Sequence, residues 1–137
     1  MKELVISATL EHLEVVQQFI SDILDEADCP MKIQLQIQVV VEEIYVNIAH
    51  YAYAPAAGDT VIRCGVEGSP KNVFIEFQDG GKPFNPLAKK DPDITLSSEE
   101  RPIGGLGILM VKRMMDEVTY RYEKGNNILT MRKKIQN

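Results

Sequence analysis

In the stretch VVVEEIYVNIAH, Glu43 and Asn47 stand four residues apart, so on a helix a carboxylate and an amide project from one face, one turn above the other. An isolated E-x-x-x-N is ordinarily a solvated helix face. Here, however, Asn47 lies between Val46 and Ile48 in an increasingly apolar run, and asparagine is a weak helix former seldom half-buried without a partner. Glu42, about 100° further round the helix, is read as solvated. His50 falls close to the same stripe. A second candidate is DGGKPFNP, directly after the strand-like run VFIEFQ: Asp79 sits at the strand end, and Gly80 and Gly81 let the backbone turn sharply or approach a flat ligand. Alone it reads as a turn, and GGKPF lacks the spacing of a P-loop, so Lys82 is not read as a phosphate lysine. A third is RPIGGLGILMVKRMMDEV, where Gly104, Gly105 and Gly107 lead into an apolar helix. Unpaired backbone N–H groups and the helix dipole at such a start suit an anion such as phosphate. A Rossmann reading fails, because no strand immediately precedes and position 110 is Met.

The rest of the composition narrows the chemistry. Fifteen Lys+Arg against twenty Asp+Glu give a net charge of −5 without long runs of either sign, which argues against a broad grip on nucleic acid. Two distant cysteines, Cys29 and Cys64, support neither a disulfide framework nor a Cys-rich zinc site and read as core residues. His12 and His50 lack HExxH spacing, and no serine elbow motif accompanies them, so zinc hydrolysis and acyl transfer have little to rest on. No apolar run is long enough to span a bilayer, and MKELVISATL lacks the pattern of a secretory signal. A cytoplasmic protein with no membrane or nucleic-acid partner is expected.

The elements that must position these residues follow from periodicity. Residues 2–8 read as a strand; Leu10, Leu13, Val16, Phe19, Ile20, Ile23 and Leu24 then give an amphipathic helix with Ser7 or Thr9 available as N-cap. KIQLQIQV alternates like a strand, but the stripe from Ile33 through Ile37, Val40, Val41, Ile44 and Ile48 is longer and decides for a helix, with Pro30 in its first turn and an exit over YAYAPAAG. Thr60–Glu67 and Asn72–Gln78, joined through GSP, predict an antiparallel hairpin. Residues 79–107 form a polar segment with four of the seven prolines, too long for a passive connection. A helix over about 107–115 and strands at 118–122 and 127–133 around EKGN complete the order. This pattern, and a length that suits one compact domain over 1–137, predict an α+β fold with helices on one face of a mostly antiparallel sheet.

The three stretches in this order, E-x-x-x-N on a helix, D-x-G after a strand, a long segment, then G-G-x-G opening a helix, together resemble the Bergerat ATP-binding fold of the GHKL group. That group includes DNA gyrase, a heat-shock chaperone, histidine kinases and mismatch-repair proteins. Within it the chain is similar to the small anti-sigma factor serine/threonine kinases: VVVEEIYVNIAHYAY, FQDGGKPFNP and GGLGILMVKRMMDEVTY fall where that family has its asparagine box and its two glycine boxes. The likeness covers essentially all 137 residues. The larger members need further domains, and a histidine kinase needs a dimerisation segment with its phosphoacceptor histidine.

The resemblance implies a two-layer α/β sandwich that binds ATP and Mg²⁺. Asn47 would ligate Mg²⁺, Glu43 would be the general base or proton-orienting carboxylate, and Asp79 would bind the adenine amino group. Gly81 would lie under the base, Pro83 and Phe84 would shape the pocket wall, Gly104, Gly105 and Gly107 would meet the phosphates, and residues 86–103 would be a lid. Such chemistry needs positioning and charge neutralisation more than covalent help, and Mg²⁺ prefers hard oxygen ligands. Three positions depart from the family pattern. Tyr51 stands where relatives often have His, and His50 is read instead as a packing residue at the helix end. Pro83 stands where the wider group has a glycine, although Pro-Phe is common in the serine-kinase branch, and Asn127 stands where a threonine often supports the adenine-binding Asp.

The function implied is an ATP-dependent serine/threonine protein kinase that phosphorylates a STAS-type antagonist, sequesters a sigma factor in another state and forms a homodimer. The alternatives are a non-catalytic partner-switching module gated by nucleotide and, more plainly, an α+β interaction domain without a nucleotide site.

Overall fold

The computed structural model describes residues 1–52, 58–88 and 105–136. Five strands, β1 (Lys2–Ser7), β2 (Asp59–Glu67), β3 (Asn72–Asp79), β4 (Glu117–Glu123) and β5 (Asn126–Lys134), form a sheet in the order β1-β2-β3-β5-β4. Each neighbouring pair is antiparallel. The helices are α1 (Leu13–Glu26), α2 (Met31–Asn47) and α3 (Gly105–Met114).

Alternation along the strands decides which sheet face is covered. On β3, Val73, Ile75, Phe77 and Asp79 are buried, and the register partners of the last three on β2 and β5, Thr60, Ile62, Cys64, Asn127, Leu129 and Met131, are buried with them. Against this face pack Val16, Ile20 and Leu24 of α1, Ile37, Val41 and Ile44 of α2, and Ile108 and Val111 of α3. Full burial of one such side chain contributes about 1.5–3 kcal/mol, so a one-residue slip of a strand would forfeit the core. The opposite face carries a charged network beside Val5, Phe74 and Ile128. There Arg63 donates to Glu3 and Glu76, both at 2.9 Å, and to Gln78 at 2.8 Å.

Helix α2 settles the ambiguity of KIQLQIQV. Its sheet-facing stripe is Ile37, Val40, Val41, Ile44 and Tyr45, whereas Leu35 and Val39, which produce the strand-like alternation, remain 61% and 40% exposed. Pro30 is the residue just before the first turn of α2, not inside it. The Tyr45 hydroxyl donates to the carbonyls of Thr9 (2.6 Å) and Ser7 (3.2 Å), tying α2 to the chain leaving β1.

The expected N-cap of the first helix is not formed. A 3-10 turn at Leu10–His12 precedes α1, and neither Ser7 nor Thr9 caps it through a side chain. His12 Nδ1 instead donates to the Ser7 carbonyl at 2.8 Å. At its other end α2 widens into a π turn, Ile48–Ala52, directly after Asn47. His50 is exposed within that turn, so it is not the packing residue the sequence suggests.

The two-residue connection between β4 and β5 has positive φ at both Lys124 (52°) and Gly125 (80°). That conformation matches the twist of a tight hairpin, and glycine adopts it without a Cβ penalty. It fixes a register in which Tyr120 faces Leu129 and Tyr122 faces Asn127, while Asn127 faces Asp79 across β3.

Both cysteines are buried, as expected. Burial pushes the Cys64 thiol up to about 12 and raises that of Cys29, so the reactive thiolate is suppressed at both. A thiol reagent is expected to leave both unmodified in the native protein near neutral pH and to titrate two thiols after denaturation. Rapid native labelling would contradict this packing.

Candidate functional site

Asp79 ends β3 on the covered face and is only 7% exposed, a costly position for a carboxylate without donors. Two donors meet its Oδ1: the Gly81 backbone N–H at 2.9 Å and the Asn127 side-chain amide at 3.0 Å. The Gly80-Gly81 turn therefore folds back onto the carboxylate that precedes it. No hydrogen bond engages Oδ2 from among the described residues, which leaves one acceptor oxygen for a ligand.

Asp79 lines a cavity of about 180 Å³ between α2 and the sheet. Its apolar walls come from Ile44 and Ile48 on the helix side and Phe77 and Leu129 on the sheet side, with Pro83, Phe84 and Pro86 from the segment after β3. Sites that enclose a whole drug-sized ligand hold roughly 300–1,000 Å³, so this cavity suits one flat ring system with the remainder of a ligand outside. Asn47, Tyr120, Asn127 and Lys82 add the polar part of the lining. Tyr120 and Asn127 are joined by a hydrogen bond from the phenol to the amide oxygen. Burial pushes the Tyr120 phenol up, which keeps the hydroxyl protonated as the donor.

Asn47, at the last turn of α2, donates to Glu43 Oε1 at 3.4 Å. With Nδ2 directed to the carboxylate, Oδ1 is the acceptor that Asn47 has left. Glu43 does not line the cavity itself. It stands one turn earlier, beside a crevice of about 20 Å³ formed with Val39, Val40, Met110 and Val111 where α2 meets α3. A hard carbonyl oxygen next to a carboxylate fits Mg²⁺ when phosphate oxygens and water complete the shell. Asn47 would hold such an ion, whose chemistry when bound is to neutralise phosphate charge.

Of the residues singled out from sequence, Asn47, Asp79, Pro83 and Phe84 line one cavity. Gly81 does not line it and acts through its N–H on Asp79. Gly105 opens α3 and Gly107 lies in its first turn, while Gly104 and residues 89–103 of the expected lid lie outside the described residues. The described start of that segment, Pro86–Ala88, is a 3-10 turn. Sequence reasoning missed Tyr120, Phe77 and Leu129. Phe77 and Leu129 lie two residues from Asp79 and Asn127 on the same strands, so strand period alone points to them once those two are chosen.

A layer of helices on an antiparallel five-stranded sheet, with an Asn-bearing helix over a buried Asp at a strand end, is the architecture of the GHKL ATPases. The family profile of the histidine kinase-like ATPase domain matches residues 6–133, and the chain belongs to that family. It is similar to the serine-protein kinases RsbW of Bacillus thuringiensis and Bacillus cereus, each 23% identical over 136 residues, which cover 98% of this chain and 84% of the relative. In fold it matches the crystal structure of the RsbU and RsbW domains of a Mycobacterium tuberculosis protein, with a TM-score of 0.65 and 15% identity over 100% of this chain. The chain spans 33% of that larger protein.

Proposed function

We propose that this protein is an ATP-dependent serine/threonine protein kinase that phosphorylates a STAS-type antagonist and, in another state, sequesters a sigma factor. The observation that carries the reading is a buried carboxylate with one open acceptor, Asp79, in a ring-sized cavity whose lining includes Asn47, with Glu43 one helical turn away. In this reading Asp79 takes the adenine amino group, and Pro83 and Phe84 flank the base. The backbone N–H groups of Gly104, Gly105 and Gly107 receive the phosphates. Asn47 carries the magnesium, and Glu43 orients or accepts the proton of the acceptor hydroxyl.

A protein acceptor is supported by the outer face of α2. Met31, Leu35 and Val39, four residues apart, are 64%, 61% and 40% exposed, and Met110 of α3 is 42% exposed. Val39 and Met110 border the crevice at Glu43, so an apolar strip leads to the proposed base. The test is to incubate the protein with γ-labelled MgATP and a purified STAS-domain protein. The reading expects label on a Ser or Thr of the STAS protein, and label that never leaves ATP would contradict kinase action.

A further inference from the structure

We infer that the row Met31, Leu35 and Val39 on α2 is a docking ridge for the protein acceptor, which meets it with an apolar face that begins about one helical turn from the hydroxyl to be phosphorylated. The inference rests on the reading of Glu43 as the residue that orients or accepts the hydroxyl proton, and it adds which surface selects the acceptor. The inner stripe of α2, Ile37, Val41 and Ile44, is buried on the sheet, as the apolar face of such a helix must be. That packing needs no second apolar face. Five residues of α2 are exposed, Met31, Lys32, Leu35, Val39 and Glu42, and the three apolar ones are those that share a row at spacing four. Single exposed apolar residues are ordinary, whereas a contiguous row of them marks a contact surface.

The same spacing continues into the site. Glu43 and Asn47 are the next two members of the row, so α2 carries one i, i+4 ridge that is apolar over its first three positions and polar over its last two. Glu43 does not line the nucleotide cavity and stands instead at the crevice that Val39 and Met110 border. A hydroxyl that reaches Glu43 from the outer side of α2 therefore brings its own protein surface over Val39 and Met110. At 1.5 Å per residue, Val39, Leu35 and Met31 lie about 6, 12 and 18 Å along the helix axis from Glu43. The acceptor recognised carries apolar side chains over that span. A charged face there is refused, because Leu35 and Met31 offer no partner for a charge that docking would bury. Met31 at the far end and Met110 beside Val39 are unbranched and flexible, and so adapt to a partner's shape.

The test is steady-state phosphorylation of a purified STAS-domain protein by wild type, Leu35→Glu, Leu35→Met and Val5→Glu, with MgATP affinity measured on each by calorimetry. Leu35 is 61% exposed and glutamate is a good helix former, so Leu35→Glu alters the ridge without disturbing the core. It is expected to raise KM for the acceptor at least about tenfold, as loss of a central apolar anchor does, with kcat at saturating acceptor within about twofold of wild type. MgATP affinity should not change, because Leu35 does not line the nucleotide cavity. Leu35→Met, which keeps an apolar side chain of similar size, should hold KM at the wild-type value. Val5→Glu, at a comparably exposed apolar position on the opposite sheet face, should also leave KM unchanged. An unmoved KM in Leu35→Glu overturns the inference, including the case in which sedimentation shows that the substitution dissociates a dimer and the row joins two copies. Parallel losses of kcat and MgATP affinity overturn it too, since they indicate a structural role. If wild type binds MgATP but transfers no phosphate to the STAS protein, the kinase reading fails and the inference with it, whereas transfer with an unmoved KM removes the ridge alone.

Discussion

Glu43→Gln is expected to bind MgATP with nearly wild-type affinity while losing about 10²–10⁴-fold in phosphate transfer to a protein acceptor, the usual contribution of a positioned general base. The split follows from placement. Glu43 stands outside the cavity that would hold the base and contacts Asn47 through a 3.4 Å hydrogen bond. Glutamine retains an oxygen that can accept from Asn47 but has no carboxylate to take or orient a proton. Binding would be followed by calorimetry and transfer by labelled phosphate on the acceptor. Full transfer activity in Glu43→Gln would remove this residue from the mechanism; equal loss of binding and transfer would make it a part of the nucleotide site instead.

Asp79→Asn should weaken adenine nucleotide binding by roughly 10–100-fold, the range expected when a charge-assisted hydrogen bond is lost. The substitution keeps size and shape. If the new oxygen stays with the Gly81 N–H and the Asn127 amide, which donate at 2.9 and 3.0 Å, the new NH₂ must occupy the position of Oδ2. A donor then faces the donor of the adenine amino group. The opposite orientation places NH₂ against two N–H groups that also need an acceptor. Either way one mismatch is built in, and titration of MgADP, which requires no catalysis, reads it directly. Unchanged MgADP affinity would show that Asp79 does not touch the base.

Much of this arrangement is legible in the sequence because strong periodicity and local motifs agree. The stripe through Ile37, Val41 and Ile44 fixes which face of α2 is buried and so places Glu43 and Asn47 together near its end. The alternation of β3 puts Asp79 on the face of Phe77 and Ile75. What escapes sequence reasoning is what depends on contacts between distant segments. Tyr120 and Asn127 are seven residues apart and meet because a tight turn at Lys124-Gly125 sets the β4–β5 register. Tyr120 alone reads as an ordinary strand aromatic. The missing cap at α1 is a matter of side-chain partners: the Thr9 hydroxyl meets the Glu11 and His12 side chains at 3.5 and 3.3 Å instead of a backbone N–H. The alternation in KIQLQIQV misleads because Leu35 and Val39 are apolar residues on the outer face of the helix. Periodicity cannot separate an outward apolar residue from a core one.

Loss of magnesium-dependent nucleotide binding on removing a single amide tests the central claim most directly, because Asn47 is the one lining residue assigned to the metal. MgATP and MgADP would be titrated calorimetrically into wild type and Asn47→Ala. Saturable binding by wild type, weakened at least about tenfold in Asn47→Ala on the scale of one lost charge-assisted contact, is the expected result. Equal binding by both proteins, or none by wild type, would contradict the account of this cavity as a magnesium-nucleotide site.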